Sequence, residues 1–429
     1  MYRLLLLSCL LLVACDSPST FNSTKKDPQL NPLSEIRTKL AFNCKHEQIP
    51  EVSADSEILF LYARWLQKNN QLKQDKSVDA EIERLYRTAA ENGHHKANIN
   101  LQNGAMRGQF TLRGEEHLRM SQRLINAGVA TGYYFVGVFL RQGSAGLKQD
   151  TQMSLRYYRK AADEGSVQAQ YYVGDKLAWS DAAPDIARQM RRCAAEQGHG
   201  EAAKELGVNL QGRKQFQEAL EAFQLGVAAG NSSSASVLSN GFLSVDPSDA
   251  LYYLGQHIDL ERASRYRQIR KVLSNYSYAN PKVPEINEIV PLPPAKLPAW
   301  DGKLKWLEER QANVPPEKPS EALIRQLAKA KLLDPASGRP LPSSPDFIQA
   351  SFPKPTCNSG QACPQSGYWE AVRIADTDYS ILKDAEPRRF EKGEVMPTLR
   401  VQSRHTRFLL ADRITVQEEN IEWRLLGEA

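Results

Sequence analysis

Cysteine and histidine are among the side chains in this sequence that could bind a metal or act as nucleophiles. His94, His95, His117 and His199 are scattered over predicted loops and helix starts, with no HExxH motif and no paired Cys/His spacing. There is also no GxSxG, no phosphate-binding loop and no GxGxxG. We therefore expect no enzyme activity, no cofactor and no metal, and surface or capping roles for the histidines.

The cysteines fall into three groups by position. Cys15 ends an N-terminal apolar stretch. Cys357 and Cys363 enclose a turn-forming Asn-Ser-Gly-Gln-Ala stretch, which favours a local disulfide between them. A zinc site is the alternative, although no CxxC or nearby histidine accompanies the pair. Cys44 and Cys193 either pair with each other, which would tie the N-terminal segment to a distant helix, or remain free thiols.

A helical pattern repeats along the middle of the chain, and its helices would position the side chains of any functional site. Five times a helical pattern ends in small or apolar residues followed by a glycine, and successive glycines are about 32 to 37 residues apart. Small residues recur four positions after each glycine, and apolar residues recur eight positions after it. Such columns let two helices approach closely and fill the seam between them. The glycines are Gly93, Gly128, Gly165, Gly198 and Gly230.

The repeat resembles a known family. Asp150, followed by the sequence YYRKAADEG that ends at Gly165, is similar to the Sel-one-like repeat, a relative of the tetratricopeptide repeat. The resemblance implies an α-solenoid of helix pairs that binds other proteins and has no chemistry of its own.

Outward positions of the first helices are the candidate protein-binding surface, because in related solenoids these helices line the concave side. Phe135, Phe139, Tyr172 and Lys176 occupy such positions. Exposed aromatic side chains are typical anchors of protein interfaces. The alternative is that the rings are buried between neighbouring repeats.

The N-terminus reads as an export signal. One arginine, a short apolar run at residues 4–13 and a small residue before Cys15 describe a secretory signal rather than a membrane span. The ending resembles the bacterial lipoprotein box, which implies a lipid on Cys15 and a location in the periplasm at the inner or outer membrane. An ordinary cleaved signal is the alternative. Residues 1–14 are then the signal and residues 15–50 a flexible tether.

The remaining sequence predicts three further regions. Residues 51–275 form the repeat solenoid, with a last helix pair at 249–275. Residues 276–350 form a proline-rich strap, extended at 284–295, with short helices at 303–311 and 320–333. Residues 351–429 form a small β domain, with alternating strands at 367–374, 398–402, 407–410 and 421–425.

Charge excludes one class of partner. The formal net charge is +5, and the basic residues are interspersed with acidic ones rather than concentrated among aromatic residues. We therefore expect no nucleic-acid partner. As a separate expectation, there is no small-molecule substrate.

The whole architecture resembles periplasmic immunity lipoproteins encoded beside type VI secretion effectors, notably phospholipases. That resemblance implies a membrane-anchored protein that binds and neutralises a toxic enzyme. A scaffold lipoprotein that organises cell-envelope enzymes is the alternative. A third possibility, a hydrolase in the β domain, is disfavoured because the sequence lacks a catalytic constellation.

Overall fold

The structure is a computed structural model that describes residues 40–112, 114–178, 183–347, 355–372, 380–382, 388–407 and 410–427. The predicted signal, Cys15 and most of the predicted tether lie outside these residues. The chain divides into two compact units, each made of two separate stretches. The first unit comprises Met1–Gln48 and Leu155–Gln311, and the second comprises Ile49–Ser154 and Ala312–Ala429.

The second unit begins with helices that are paired in chain order. Buried Leu59, Leu85 and Leu101, one from each of its first three helices, form part of its core. The helices are α1 (Ala54–Asn70), α2 (Lys76–Glu91), α3 (His95–Met106), α4 (Gly114–Asn126) and α5 (Thr131–Gln142).

The first unit continues the same pattern. Its core includes Leu206, Phe223 and Leu238, all of which are fully buried or nearly so. The helices are α6 (Thr151–Asp163), whose first turn precedes the unit boundary, α7 (Val167–Ala178), α8 (Pro184–Glu196), α9 (Gly200–Gly212), α10 (Phe216–Ala228), α11 (Ser232–Gly241) and α12 (Leu260–Asn275). After α12 come a 3-10 turn (Ser277–Ala279), α13 (Ile286–Ile289) and α14 (Lys305–Ala312).

The repeat glycines end helices, as predicted. All five have positive φ between 75° and 109°, a conformation that side-chain-bearing residues rarely adopt. Gly165 has a second constraint, because a Cβ there would lie 2.8 Å from the backbone nitrogen of Glu47. Small residues also permit the predicted close approach of helices: a Cβ on Gly207 would lie 2.7 Å from the ring of Phe223.

After Gly93, Gly198 and Gly230, the next residue caps the following helix. The Nδ1 atoms of His94 and His199 accept hydrogen bonds from the backbone N–H groups of Ala97 and Ala202, each at 3.1 Å. Asn231 caps α11 in the same way. These contacts satisfy N–H groups that have no partner within the helix. The expected capping role is therefore confirmed for both histidines.

One predicted helix is wrong. Residues 249–259 form turns, and only α12 of the expected last pair is a helix. The Asp249 carboxylate accepts hydrogen bonds from the backbone N–H groups of Leu251 and Tyr252 at 3.1 and 3.0 Å. Side-chain bonds of this kind favour a turn over a helix.

The predicted strap packs on the last helices of the first unit. Val283, Ile286, Ile289 and Val290 are buried in its core. The segment is not wholly extended as expected, because α13 forms a single helical turn within it. The next predicted short helices are present as α14 and as α15 (Glu321–Ala330), which belongs to the second unit.

The C-terminal part is a small antiparallel β region, as predicted, so the fold class of helix-pair repeats followed by a β domain is confirmed. The strands are β1 (Thr356–Asn358), β2 (Gly367–Val372), β3 (Ser380–Leu382), β4 (Arg388–Phe390), β5 (Leu399–Arg407), β6 (Leu410–Glu419) and β7 (Glu422–Gly427). One sheet has the order β1-β7-β2-β4 and the other the order β3-β5-β6. Trp369 and Trp423 are fully buried in the core of this region.

The cysteines pair differently from the prediction. Cys357 and Cys363 are buried free thiols, so the predicted bridge between them is wrong. Each thiol donates instead to a nearby carbonyl, Cys357 to Ala362 at 3.4 Å and Cys363 to Gln365 at 3.1 Å. Burial raises the pKa of the Cys357 thiol. The disulfide is between Cys44 and Cys193, which the sequence left open.

Candidate protein-binding site

Two of the four residues predicted to contact a partner are buried. Phe135 and Phe139 on α5 are 1% and 2% exposed. Their rings stack on each other at 6.4 Å, and the ring of His117 on α4 lies 5.2 Å from that of Phe139. The prediction of exposed anchors is therefore wrong at both positions, because these side chains fill the seam against the preceding helix.

The other two predicted residues lie together at the surface of the first unit. Tyr172 and Lys176 are one helical turn apart on α7, and the Lys176 ammonium lies 5.6 Å from the centre of the Tyr172 ring. The Tyr172 ring also contacts the ring of Tyr158, at 4.3 Å between centroids. Lys176 is exposed and Tyr172 is half-buried. This pair can contact a partner.

Acidic residues surround a second tyrosine on α7. The ring of Tyr171 stacks on His199 at 4.4 Å. Burial raises the pKa of Tyr171, and the nearby carboxylates of Glu201, Asp175 and Glu205 raise it further. Arg191 and Lys204 form ion pairs with these carboxylates.

A cluster that the sequence did not predict is richer in interface-type residues. Tyr276, Tyr278, Trp306 and Arg310 form it, and we name it the aromatic–arginine cluster. The Tyr276 and Trp306 rings pack edge to face with centroids 5.6 Å apart. The Arg310 guanidinium lies 5.4 Å from the Tyr278 ring, 5.6 Å from Trp306 and 6.0 Å from Tyr276. Tyr278 is 44% exposed.

Two chain segments bring the cluster together. The backbone leaves α12 at Tyr276, makes one 3-10 turn and reverses at Asn280, which has φ 51°. Trp306 and Arg310 are one turn apart on α14. The Glu285 carboxylate fixes the start of α14 by accepting a hydrogen bond from the backbone N–H of Lys305 at 2.9 Å.

Buried arginines hold the strap that supports the cluster. Arg265 on α12 donates to the carbonyl of Ile289 at 2.8 Å, and Arg262 donates to the carbonyls of Pro291 and Ala295. Prolines interrupt regular structure in the strap, so its carbonyls need side-chain partners. Arg265 also contacts the Trp300 ring at 5.8 Å. The strap is thus anchored by α12.

A cavity of about 450 Å³ in the second unit is another feature that could bind a ligand. His94 lines it and is almost fully buried, and burial lowers its pKa. Because Nδ1 accepts from Ala97, the proton lies on Nε2 and is donated to Glu57 at 2.9 Å. The lining residues are Ile49, Pro50, Glu51, Val52, Ala54, Glu57, His94 and Lys96, which include no hydroxyl or thiol nucleophile.

Comparisons with known proteins place the cluster inside a recognised domain. A model described as a domain of unknown function (DUF6396) matches residues 234–341, a range that includes all four cluster residues. Among curated proteins, none matches this chain.

Solved structures resemble this chain over much of its length. Pseudomonas aeruginosa PA5086 is 26% identical with a TM-score of 0.45, covering 59% of this chain and 95% of that one. The immunity protein Pa5087 from Pseudomonas aeruginosa is 25% identical with a TM-score of 0.46 and the same coverage. The immunity protein PA5088 from that organism is 23% identical with a TM-score of 0.44, covering 59% and 94%.

Proposed function

We propose that this protein is an immunity protein that binds a secreted toxic effector enzyme and blocks it by direct contact. The aromatic–arginine cluster is the observation that carries the proposal. It presents two tyrosines, a tryptophan and an arginine at the surface of the first unit. Tyrosine, tryptophan and arginine are the residues most enriched at the energetic centres of protein interfaces.

The packing of the cluster suits a binding role. Its rings restrain one another, so little side-chain entropy remains to be lost on binding. Arg310 is flanked by rings, which leaves a planar cation that can meet a carboxylate or an aromatic ring of a partner. Tyr172 and Lys176 offer a second contact of the same chemical type on α7. A catalytic role would need a nucleophile or a metal beside this surface, whereas binding a partner protein needs neither.

The partner and the location are finer parts of the same proposal. The effector is a type VI secretion phospholipase, and the protein is held at a periplasmic membrane surface by a lipid on Cys15. The lipoprotein-like ending at Cys15 and the architectural resemblance described above support these two statements. Replacing Cys15 by Ser should move the protein from the membrane to the soluble fraction, and a Cys15→Ser protein that stays with membranes would refute the anchor.

Growth rescue tests the immunity function. The test uses toxic enzymes whose genes lie next to the gene of this protein, above all an enzyme with a lipase-type GxSxG motif. Each enzyme is expressed in the periplasm with and without this protein. We expect growth to stop without it and to continue with it, and a stable complex to be recovered from rescued cells. No rescue and no complex would rule out the immunity function and favour the scaffold alternative.

A further inference from the structure

The disulfide of the first unit sits beside a histidine and a carboxylate. Residues 40–48, which we name the N-terminal arm, lie against α6, α7 and α8. Gln170 donates to the carbonyl of Lys45 at 2.8 Å, and the backbone N–H of Glu47 donates to the side chain of Gln197 at 2.9 Å. Before Cys44, Arg159 donates to the carbonyls of Leu40 and Ala41 at 3.1 and 2.7 Å. The arm is therefore held on both sides of Cys44, independently of the disulfide.

Three potential metal ligands meet where the arm crosses α8. The Sγ atoms of Cys44 and Cys193 and a ring nitrogen of His46 all lie within 4.8 Å of one another. Glu196 extends the set, because its carboxylate is 3.8 Å from Nε2 of His46. The arm thus supplies a Cys-x-His pair, and one turn of α8 supplies a Cys-x-x-Glu pair.

We propose that, once the Cys44–Cys193 disulfide is reduced, these residues form a zinc site. Two thiolates and one imidazole, with a carboxylate as fourth ligand, are a donor set that tetrahedral Zn²⁺ accepts. At zinc–sulfur bonds of about 2.3 Å, tetrahedral geometry places two sulfurs about 3.8 Å apart. The sulfurs therefore need to separate by only about 2 Å from their bonded positions.

The chemistry balances with a named reductant. A dithiol donates two electrons to the disulfide and becomes a disulfide itself, which leaves thiols on Cys44 and Cys193. Zn²⁺ then binds both sulfurs as thiolates and releases two protons to solvent. Cys44 and His46 are exposed whereas Cys193 is buried, so reductant and metal approach from the arm side.

The site would give the arm a second means of attachment. The disulfide fastens the arm under oxidising conditions, and zinc would fasten it at the same residues under reducing ones. The retained contacts of Lys45 and Glu47 keep the ligands near each other between the two states. Preorganisation of this kind lowers the entropic cost of closing a metal site.

Cobalt provides the direct test, because thiolate ligands give Co²⁺ a charge-transfer absorption band. The full chain is reduced with a phosphine, freed of metal and titrated with Co²⁺, and Zn²⁺ is then added as a competitor. We expect one Co²⁺ per chain with thiolate absorption, complete displacement by Zn²⁺, and no such band in the oxidised chain. Absence of the band in the reduced chain, or its presence in the oxidised chain, would overturn the proposal.

Variants locate the site. His46→Ala should weaken Co²⁺ binding at least about 10-fold, and Cys44→Ser/Cys193→Ser should abolish the thiolate band. The double variant Cys357→Ser/Cys363→Ser is the matched control, because it removes the other two thiols of the described chain and should leave the band unchanged. If that control loses the band, or the Cys44/Cys193 variant keeps it, the zinc site is elsewhere and the proposal is wrong.

Discussion

The rings of Tyr276 and Trp306 pack edge to face with their centroids 5.6 Å apart, although the two residues lie on different segments of the chain. One follows the last residue of α12 and the other lies in the first turn of α14. This contact creates the platform over which Arg310 lies. The proposed binding surface therefore depends on how the strap between the two helices folds.

Removing rings from the aromatic–arginine cluster should weaken effector binding. Tyr278→Ala and Trp306→Ala each remove a ring of a size and type that commonly contributes about 2 kcal/mol or more at interfaces, which corresponds to about 30-fold in Kd. Calorimetry with the purified effector measures the change. Tyr368→Ala is the matched control, because Tyr368 is 48% exposed on the β domain. Equal losses for the control and the cluster variants would contradict the proposed site.

Detaching the strap should destabilise the first unit. Arg265→Ala leaves the buried carbonyl of Ile289 without its 2.8 Å donor, and an unsatisfied buried group of this kind costs about 1–3 kcal/mol. We expect lower denaturant midpoints and faster amide exchange in α13. Arg267→Ala, an exposed arginine on the same helix, is the control and should change stability by less than about 0.5 kcal/mol. Comparable effects of the two variants would show that the strap is not held by Arg265.

The disulfide should stabilise the fold against unfolding. Cys44 and Cys193 are 149 residues apart. Closing so long a loop lowers the entropy of the unfolded chain, which increases the free energy of unfolding by at most about 5 kcal/mol. Cys44→Ser/Cys193→Ser should lower the Tm and remove its sensitivity to reductant in metal-free buffer. A Cys357→Ala/Cys363→Ala protein should keep the sensitivity, and the reverse pattern would mean that the bridge is misassigned.

Acid should weaken the second unit through His117. Burial lowers the pKa of His117 to about 4 from 6.5. Between pH 6.5 and 4 the His117 imidazole is protonated in the unfolded chain but neutral in the folded chain. The free energy of unfolding is therefore highest above about pH 6.5 and decreases as the pH falls towards 4. The difference is on the order of 3 kcal/mol.

The measurement is urea unfolding across that pH window. His117→Gln should flatten the pH dependence, because glutamine does not titrate. His257→Gln replaces an exposed histidine and should leave the dependence as in the unsubstituted chain. A slope in His117→Gln as steep as in the unsubstituted chain would assign the acid sensitivity to another group.

Local patterns in the sequence predicted the helices and their ends well. Gly165 and Gly207 were informative because local geometry requires a glycine at each position. Gly165 has a positive φ, and Gly207 lies at a close contact between helices. The same periodicity could not separate Phe135 and Phe139 from surface residues, since seam and surface positions both recur with the repeat. Their burial depends on the helix packed against them, which a single repeat pattern does not specify.

Contacts between distant residues were not predictable. Cys44 and Cys193 pair across 149 residues, while the shorter Cys357–Cys363 spacing looked more favourable. The aromatic–arginine cluster depends on the path of a proline-rich strap, and no periodicity describes that path. The histidines at the positions after Gly93 and Gly198 did carry a usable signal, because a polar residue there can cap the following helix.

Inhibition of the effector by purified protein tests the central claim most directly. Phospholipid hydrolysis by the neighbouring effector is measured on vesicles while this protein is added. We predict that hydrolysis falls in proportion to the added protein and stops at one protein per enzyme, and that the Tyr278→Ala/Trp306→Ala protein inhibits far less. Undiminished hydrolysis with the unsubstituted protein, or full inhibition by the double variant, would contradict the account.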